Sequence, residues 1–339
     1  MAASACEYAR RAPGKRRVRH DATVDCPPSG ARAALLARML RLATQSPQAI
    51  APQAACPLRH DKNENCFCLK PAPIRTVKHE KGNAVANGRC VLVSGAESGI
   101  GAACAIAFGA LGDKVVVLFH DAHNDGSDTV AKVKAAGGAA IAVQCDVGDE
   151  ASVEAAFVAA ELAFGLVTVL VNSAGINMAG VPVRQMTLPQ WQRMLDTDLT
   201  GAFLTSRRFV RDRPAESPGA IIHISSIHAY AVRAGGADYC AAKGGLTNLI
   251  ETLAIEEAPN GIRVNAIEPG MILTPMNARA SDDPTYRKSL ERNIPMDRAG
   301  RPEEVGDLAV FLASDKASYI TGARIVIDGG LSLMQALGA

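Results

Sequence analysis

The sequence predicts a doubly wound α/β fold, a parallel sheet of about seven strands with helices on both faces. Three observations predict it. Seven short runs rich in Val, Ile and Leu recur between residues 89 and 327, amphipathic helical stretches separate most of them, and the first run feeds directly into a glycine-rich turn. Runs that are apolar at consecutive rather than alternate positions suit strands covered on both faces.

The runs fall at residues 89–94, 114–119, 140–145, 168–172, 220–225, 263–268 and 324–327. Strand, helix and strand in one parallel sheet cross over right-handed, which distributes helices to both faces. Sparse aromatic residues (4 %) and 30 glycines suit helices lying close to a sheet.

The turn after the first run reads Ser94-Gly95-Ala96-Glu97-Ser98-Gly99-Ile100-Gly101 and opens a helix of small residues. Gly95 permits the tight turn, Gly99 lets the backbone approach a pyrophosphate, and Gly101 lets the helix lie against the sheet. The helix N-terminus, with Ser98 and Ile100 beside it, offers unpaired N–H donors and a partial positive charge to phosphates. These features predict a Rossmann-type dinucleotide fold with NADP or NAD as cofactor.

The second run ends Leu118-Phe119-His120-Asp121. An acidic residue at this end would accept from the 2′-hydroxyl of NAD and repel the 2′-phosphate of NADP. That position holds Leu118 or Phe119, and His120 is placed to face a phosphate, which favours NADP or use of both cofactors. Asp121 argues for NAD if the strand runs longer. Asp146 and Val147 close the third run and flank the adenine; Asn172, Ser173, Ala174 and Gly175 close the fourth, where small residues allow backbone approach.

Tyr239 and Lys243 stand four apart at the start of a long helical stretch and share a helix face. Ser226 lies thirteen residues before the tyrosine, at the end of the fifth run. An ordinary tyrosine is too weak an acid to serve as a base near neutral pH, but a neighbouring ammonium stabilises its phenolate. Tyr239 then takes the proton of a substrate hydroxyl as hydride leaves for the nicotinamide. Ser226 hydrogen-bonds the substrate oxygen, and Lys243 also reaches the nicotinamide ribose.

With these motifs in this order, residues from about 88 to the end resemble the short-chain dehydrogenase/reductase family. The resemblance implies cofactor contacts at Gly95, Gly99, Ile100 and Gly101, at Asn172, Ala174 and Gly175, and at Pro269, Gly270, Ile272 and Thr274. It implies Ser226, Tyr239 and Lys243 as catalytic residues. The family's fourth catalytic residue is usually an Asn in a segment like N-L-x-G-x-F; here the segment is Asp198-Leu199-Thr200-Gly201-Ala202-Phe203. An ionised Asp198 accepts hydrogen bonds but cannot donate one, and its charge favours a protonated Lys243.

Within the family, stretches 198–206, 225–228, 251–265, 274–277 and 293–296 are similar to glucose 1-dehydrogenase-type members. That likeness implies oxidation of an aldose at C1, with Asn177 and His228 near the substrate. The alternatives are a 3-oxoacyl or other ketone reductase and a non-catalytic dinucleotide-binding scaffold. The resemblance also implies a lid at residues 275–293, a last helix from about Arg301, and a homotetramer with contacts near the C-terminal tail.

Residues 1–85 read differently. They carry 15 Lys and Arg against 6 Asp and Glu, whereas residues 86–339 carry 21 against 28. Their Arg, Pro, Ala and Cys content and weak periodicity read as a disordered or misassigned extension; only residues 31–43 have helical character. An Arg-rich leader is also the pattern of an organelle transit peptide. Residues 86–339 read as a single domain. The acidic balance of this part does not suit nucleic acid, and no apolar run approaches the roughly 20 residues of a membrane span. Nine cysteines, an odd number at irregular spacing, do not read as a disulfide framework, and Cys66–Cys68 has no second pair at zinc spacing. No metal is expected, the partner is a small-molecule substrate, and a reducing cytoplasm is the simplest compartment.

Overall fold

The computed structural model describes residues 88–336. The basic leader at 1–85, the possible helix at 31–43 and the Cys66–Cys68 pair lie outside the described residues. Seven strands form one sheet: β1 (Cys90–Ser94), β2 (Lys114–Phe119), β3 (Ala139–Gln144), β4 (Val167–Asn172), β5 (Gly219–Ile224), β6 (Ile262–Pro269) and β7 (Arg324–Ile327). Their order is β3-β2-β1-β4-β5-β6-β7, and every pairing is parallel. The fold is therefore the Rossmann-type α/β arrangement, and the expected strands match within a residue or two.

The shifts at strand ends have local causes. Arg89 stays outside β1 because its amide donates to Asp113 Oδ1 at 3.0 Å and its guanidinium grips the same carboxylate at 2.7 Å. At the other end of the sheet β6 runs on to Pro269, which pairs with Ile327 of β7. Proline supplies only a carbonyl to the ladder, so it is tolerated at a strand end.

Side chains alternate across the sheet and build two cores. Leu92, Val116, Leu118, Leu170, Ile221 and Val264 pack on one face. They meet α3 (Glu150–Phe164), α5 (Gly201–Arg211) and α6 (Ala237–Glu257). Val91, Val93, Val115, Val117, Val171 and Ile222 pack on the other face. There they meet α1 (Gly99–Gly109), α2 (Ser127–Ala135) and α9 (Pro302–Leu312). Each fully buried Val, Leu or Ile contributes about 1.5–3 kcal/mol. Between α3 and α5 lies α4 (Leu188–Leu195), begun by a Thr187–Gln190 capping box. The segment expected as a lid contains a 3₁₀ turn at Pro275–Asn277, α7 (Ala278–Asp282) and α8 (Pro284–Glu291). Among the described residues no helix is long and apolar enough to cross a membrane.

The chain winds outward from β1 through β2 to β3, then returns to β4 and winds the other way. Beyond the carboxyl ends of β1 and β4 the connections diverge, which opens a crevice at that edge. Beneath it a polar network crosses the core. Thr205 Oγ1 donates to Asn172 Oδ1 at 2.7 Å, and Asn172 Nδ2 donates to Ser206 Oγ at 3.2 Å. His223 completes it, with Nδ1 3.4 Å from Asn172 Nδ2 and Nε2 3.4 Å from Ser206 Oγ. Asn172 Nδ2 can only donate, so His223 Nδ1 accepts and the ring is neutral. Burial first, then the nearby Lys243 ammonium, hold the imidazole down to about 3.

This depressed value makes a prediction about acid stability. Unfolded, the imidazole takes a proton below its ordinary value near 6.5. Folded, it refuses that proton until about pH 3. Stability is therefore complete above pH 6.5 and falls by up to about 1.4 kcal/mol per pH unit as the pH drops through this window. Urea unfolding midpoints from pH 7 to 4.5 should fall more steeply in the wild type than in His223→Asn.

Candidate active site

The glycine loop is where the fold prepares the crevice. Gly95 has φ of +61°, and a Cβ there would lie 2.8 Å from Ala174 Cα. Only glycine lets the turn after β1 lie against the segment after β4. A Cβ on Gly101 would collide with the carbonyl of Gly95, so the start of α1 folds tightly over the turn. Ser94 clips the two turns together: its Oγ accepts from the amides of Ser173 and Ala174, both at 3.1 Å. The segment after β6 joins them, with Thr274 packed against Gly99.

At the start of α1, Ser98 is extended and its side chain makes no capping bond. Its hydroxyl and the first amides of the helix remain available, which suits a pyrophosphate. This loop, the small residues of Ala174 and Gly175, and the close-packed Gly95 fit a dinucleotide.

At the adenosine end the structure separates the residues around the end of β2. Leu118 is buried in the core and cannot meet a ribose. β2 stops at Phe119, so Asp121 lies in the following turn, where its Oδ1 accepts from the His123 amide at 2.9 Å. His120 is exposed, with its Nε2 3.9 Å from the Asp146 carboxylate, which is exposed as well. The Val147 side chain is buried against Gly201. Ile272 is likewise buried, packed under Gly300. Pro269 is buried at the end of β6, and Gly270 packs on Asp328.

The other end assembles Asp198, Ser226, Tyr239 and Lys243. A π-helical turn at Asp196–Thr200 joins α4 to α5. The extra residue in such a turn rotates a side chain out of the regular helical register, and here Asp198 is buried. Its Oδ1 accepts from the Ile176 amide at 2.8 Å, and its Oδ2 lies 3.0 Å from Lys243 Nζ. A Cβ on Gly175 would come within 2.8 Å of that same Oδ2. Lys243 Nζ also donates to the Ile224 carbonyl at 3.3 Å and lies 5.4 Å from the centre of the Tyr239 ring. Burial pulls the lysine down, but the Asp198 carboxylate, helped by Tyr239, outweighs it and holds the ammonium above its ordinary value.

Ser226 follows β5, and its Oγ accepts from the His228 amide at 3.1 Å. The His228 ring meets Tyr239 edge to face, 6.1 Å between centroids. Its Nδ1 is 2.6 Å from the Ala231 carbonyl, so that nitrogen carries the proton and Nε2 is left as an acceptor. Asn177 stands exposed, and its Oδ1 accepts from the Met178 amide at 2.9 Å. The structure thus joins His228 to the Ser–Tyr–Lys–Asp group and leaves Asn177 at the rim.

Sequence reasoning missed Asp238. Its Oδ1 accepts from the Tyr239 amide at 2.8 Å and its Oδ2 from the Ala179 amide at 3.1 Å, tying the loop after β4 to the start of α6. It missed Ser94 for the same reason: the partners are 59 to 80 residues away, where no periodicity reaches. Its reading of the cysteines as core residues fits three of them. Cys90 and Cys104 are buried and pushed up to about 12, and Cys145 to about 11, each chiefly by burial. Among the described residues no group of three or more His, Cys, Asp or Glu is placed to hold a metal ion.

A dinucleotide crevice with a tyrosine and lysine beside a strand-end serine defines a nicotinamide-dependent oxidoreductase. Residues 95–332 match the family model described as enoyl-(acyl carrier protein) reductase. The chain is 45 % identical over 249 residues to 3β-hydroxysteroid dehydrogenase 1 of Eggerthella lenta, covering 73 % of this chain and 94 % of that one. It is 37 % identical to glucose 1-dehydrogenase 2 of Bacillus subtilis, covering 73 % and 95 %. A solved Agrobacterium tumefaciens protein, assigned as a 2-deoxy-D-gluconate 3-dehydrogenase and holding NADP, superposes with a TM-score of 0.66 at 33 % identity. That match covers 72 % of this chain and 96 % of that one. The chain belongs to the short-chain dehydrogenase/reductase family and is an NAD(P)-dependent oxidoreductase acting on CH–OH groups.

Gly95→Ala tests the cofactor cradle. The variant should bind a nicotinamide dinucleotide at least about tenfold more weakly by calorimetry, a loss of about 1.4 kcal/mol. Its far-UV circular dichroism should stay unchanged.

Proposed function

We propose that the chain oxidises a secondary hydroxyl on a ring-shaped substrate, with glucose at C1 as the leading candidate. The observation that carries the chemistry is the buried Lys243 ammonium beneath the Tyr239 ring, held there by Asp198. The bound nicotinamide supplies the acceptor for hydride in oxidation and the donor in reduction. Tyr239, as phenolate beside the ammonium, takes the hydroxyl proton and returns it in the reverse direction. Ser226 holds the substrate oxygen. Lys243 binds the nicotinamide ribose, and Asp198 keeps the lysine charged.

His228 supports a sugar: with Nδ1 committed to Ala231, its Nε2 accepts from a second hydroxyl of the substrate. The likeness to a glucose dehydrogenase supports the same substrate. A second reading is an apolar ring such as a steroid. Val183, Val232 and Met276 are exposed on the loops after β4, β5 and β6, and the 45 % identical relative is a hydroxysteroid dehydrogenase. A ketone or 3-oxoacyl reductase is a further candidate, because the same tyrosine returns a proton to a carbonyl oxygen in the reducing direction. We also propose a homotetramer: Phe311, Tyr319 and Val326, on and around the edge strand β7, expose apolar surface that a second copy would cover. Four unpaired cysteines among the described residues suit a reducing cytoplasm.

Initial rates with D-glucose, a 3β-hydroxysteroid and an acetoacetyl thioester, each with both cofactors, separate these readings. Glucose turnover at least tenfold above the steroid supports the sugar, and the reverse ratio overturns it. Tyr239→Phe should lower kcat by roughly 10³-fold, the scale of positioned acid–base catalysis. Asp198→Asn should keep turnover within roughly tenfold and move the acid limb of the oxidative rate to higher pH, because burial then draws the lysine down without a carboxylate to oppose it and the phenolate loses part of its support. The opposite pattern between the two variants would exclude this division of roles.

A further inference from the structure

The segment Ile176-Asn177-Met178-Ala179, which follows β4, is suspended between two buried carboxylates. At one end the Ile176 amide donates to Asp198 Oδ1 at 2.8 Å. At the other the Ala179 amide donates to Asp238 Oδ2 at 3.1 Å. Each carboxylate turns its second oxygen to one member of the reactive pair. Asp198 Oδ2 lies 3.0 Å from Lys243 Nζ, and Asp238 Oδ1 accepts from the Tyr239 amide at 2.8 Å. The segment is therefore registered twice against the start of α6, once at the lysine and once at the tyrosine.

Asp238 is 1 % exposed. A carboxylate so buried is costly unless donors surround it. Here the donors are two main-chain amides, in the first turn of α6 where the helix carries partial positive charge. That pair of amides selects the residue type. An ionised Asp presents two acceptors and no donor, whereas an Asn would satisfy one amide and turn an NH2 toward the other. The turn before α6 is fitted to the same place. Gly235 has φ of +79°, and a Cβ there would stand 3.0 Å from the Gly180 backbone. A Cβ on Gly236 would lie 3.3 Å from Met178 Sδ. Within the held segment Asn177 is the one polar side chain. Its Oδ1 is taken by the Met178 amide, so its exposed Nδ2 is left to donate.

We propose that Asp238 is a positioning residue for the substrate: it sets the distance between Asn177 and Tyr239. A substrate is then gripped in one register, its reacting hydroxyl at Tyr239 and a second, hydrogen-bond-accepting group at Asn177. The inference rests on the oxidoreductase reading of the site and narrows the substrate to one that carries such a group. Asp238 takes no part in proton or hydride transfer and acts only through the segment it holds.

Two measurements on the full chain test this. The first needs no substrate. Asp238→Ala removes both acceptors, and Asp238→Asn, the milder change should the first not fold, removes one. By hydrogen exchange, residues 176–179 should open at least about tenfold faster in the alanine variant and at an intermediate rate in the asparagine variant, with β4 unchanged. The second is a kinetic cycle with the fastest substrate among D-glucose, a 3β-hydroxysteroid and an acetoacetyl thioester. Asn177→Ala and Asp238→Asn should each raise KM by roughly five- to tenfold, the scale of one lost hydrogen bond, with kcat changed less than KM. The double variant should be no worse than the poorer single one, because both changes break one contact. Wild-type exchange in Asp238→Ala, additive effects on KM, or a KM unmoved by Asn177→Ala would overturn the proposal, since a merely structural role carries no coupling to Asn177. Turnover of none of the three substrates would overturn the substrate reading above, and the exchange measurement still decides whether Asp238 holds the segment.

Discussion

An ammonium buried as deeply as Lys243 has to be balanced by charge, and this chain balances it with Asp198 at 3.0 Å. Removing one partner of a buried ion pair typically costs about 3–5 kcal/mol, so the geometry that holds both partners is under strong constraint. Much of the reactive end follows from that constraint. The π turn between α4 and α5 brings the carboxylate inward. The Ile176 amide fixes one oxygen, and Gly175 leaves room for the other. The Ile224 carbonyl, at the end of β5, receives the ammonium from the other side. The segments that follow two neighbouring strands, β4 and β5, therefore converge on one charge.

The crevice is electrically divided along its length. Near Tyr239 the charge that matters is the lysine's, held on by its carboxylate and directed at a phenol. Near Glu97 the turn after β2 carries Asp121 and Asp125 with His120 and His123, and neither lysine nor arginine. Between them lie backbone amides at the start of α1, with the partial positive charge of a helix N-terminus. Such a gradient suits an extended ligand with a ribose at one end, phosphates in the middle and a reacting ring at the other.

Much of this was legible in the residue order. The strands announced themselves because a strand buried on two faces has to be apolar at successive positions, as in KVVVLF of β2. The glycine loop was legible because backbone close approach admits no other residue, and Tyr239 with Lys243 because one helical turn separates them. The reading of the end of β2 was less successful. It left the strand-end position open between Leu118 and Phe119, and the pleat turns Leu118 into the core. It placed Val147 and Ile272 beside the cofactor without distinguishing side chain from backbone, and both side chains belong to the packed interior.

The sequence by itself determined the class of fold, the order of its elements and the chemical groups available, because periodicity, glycine placement and short spacings are local properties of the chain. Tertiary structure decided which of those groups meet. Ser94 reaches amides 79 and 80 residues away, Asp198 finds Lys243 across two helices, and Glu97 keeps a buried carboxylate oxygen without a donor. Such distances are set by how helices and strands stack, and a linear pattern carries no record of the angle at which two elements cross or of which polar atom is left unpaired when they do.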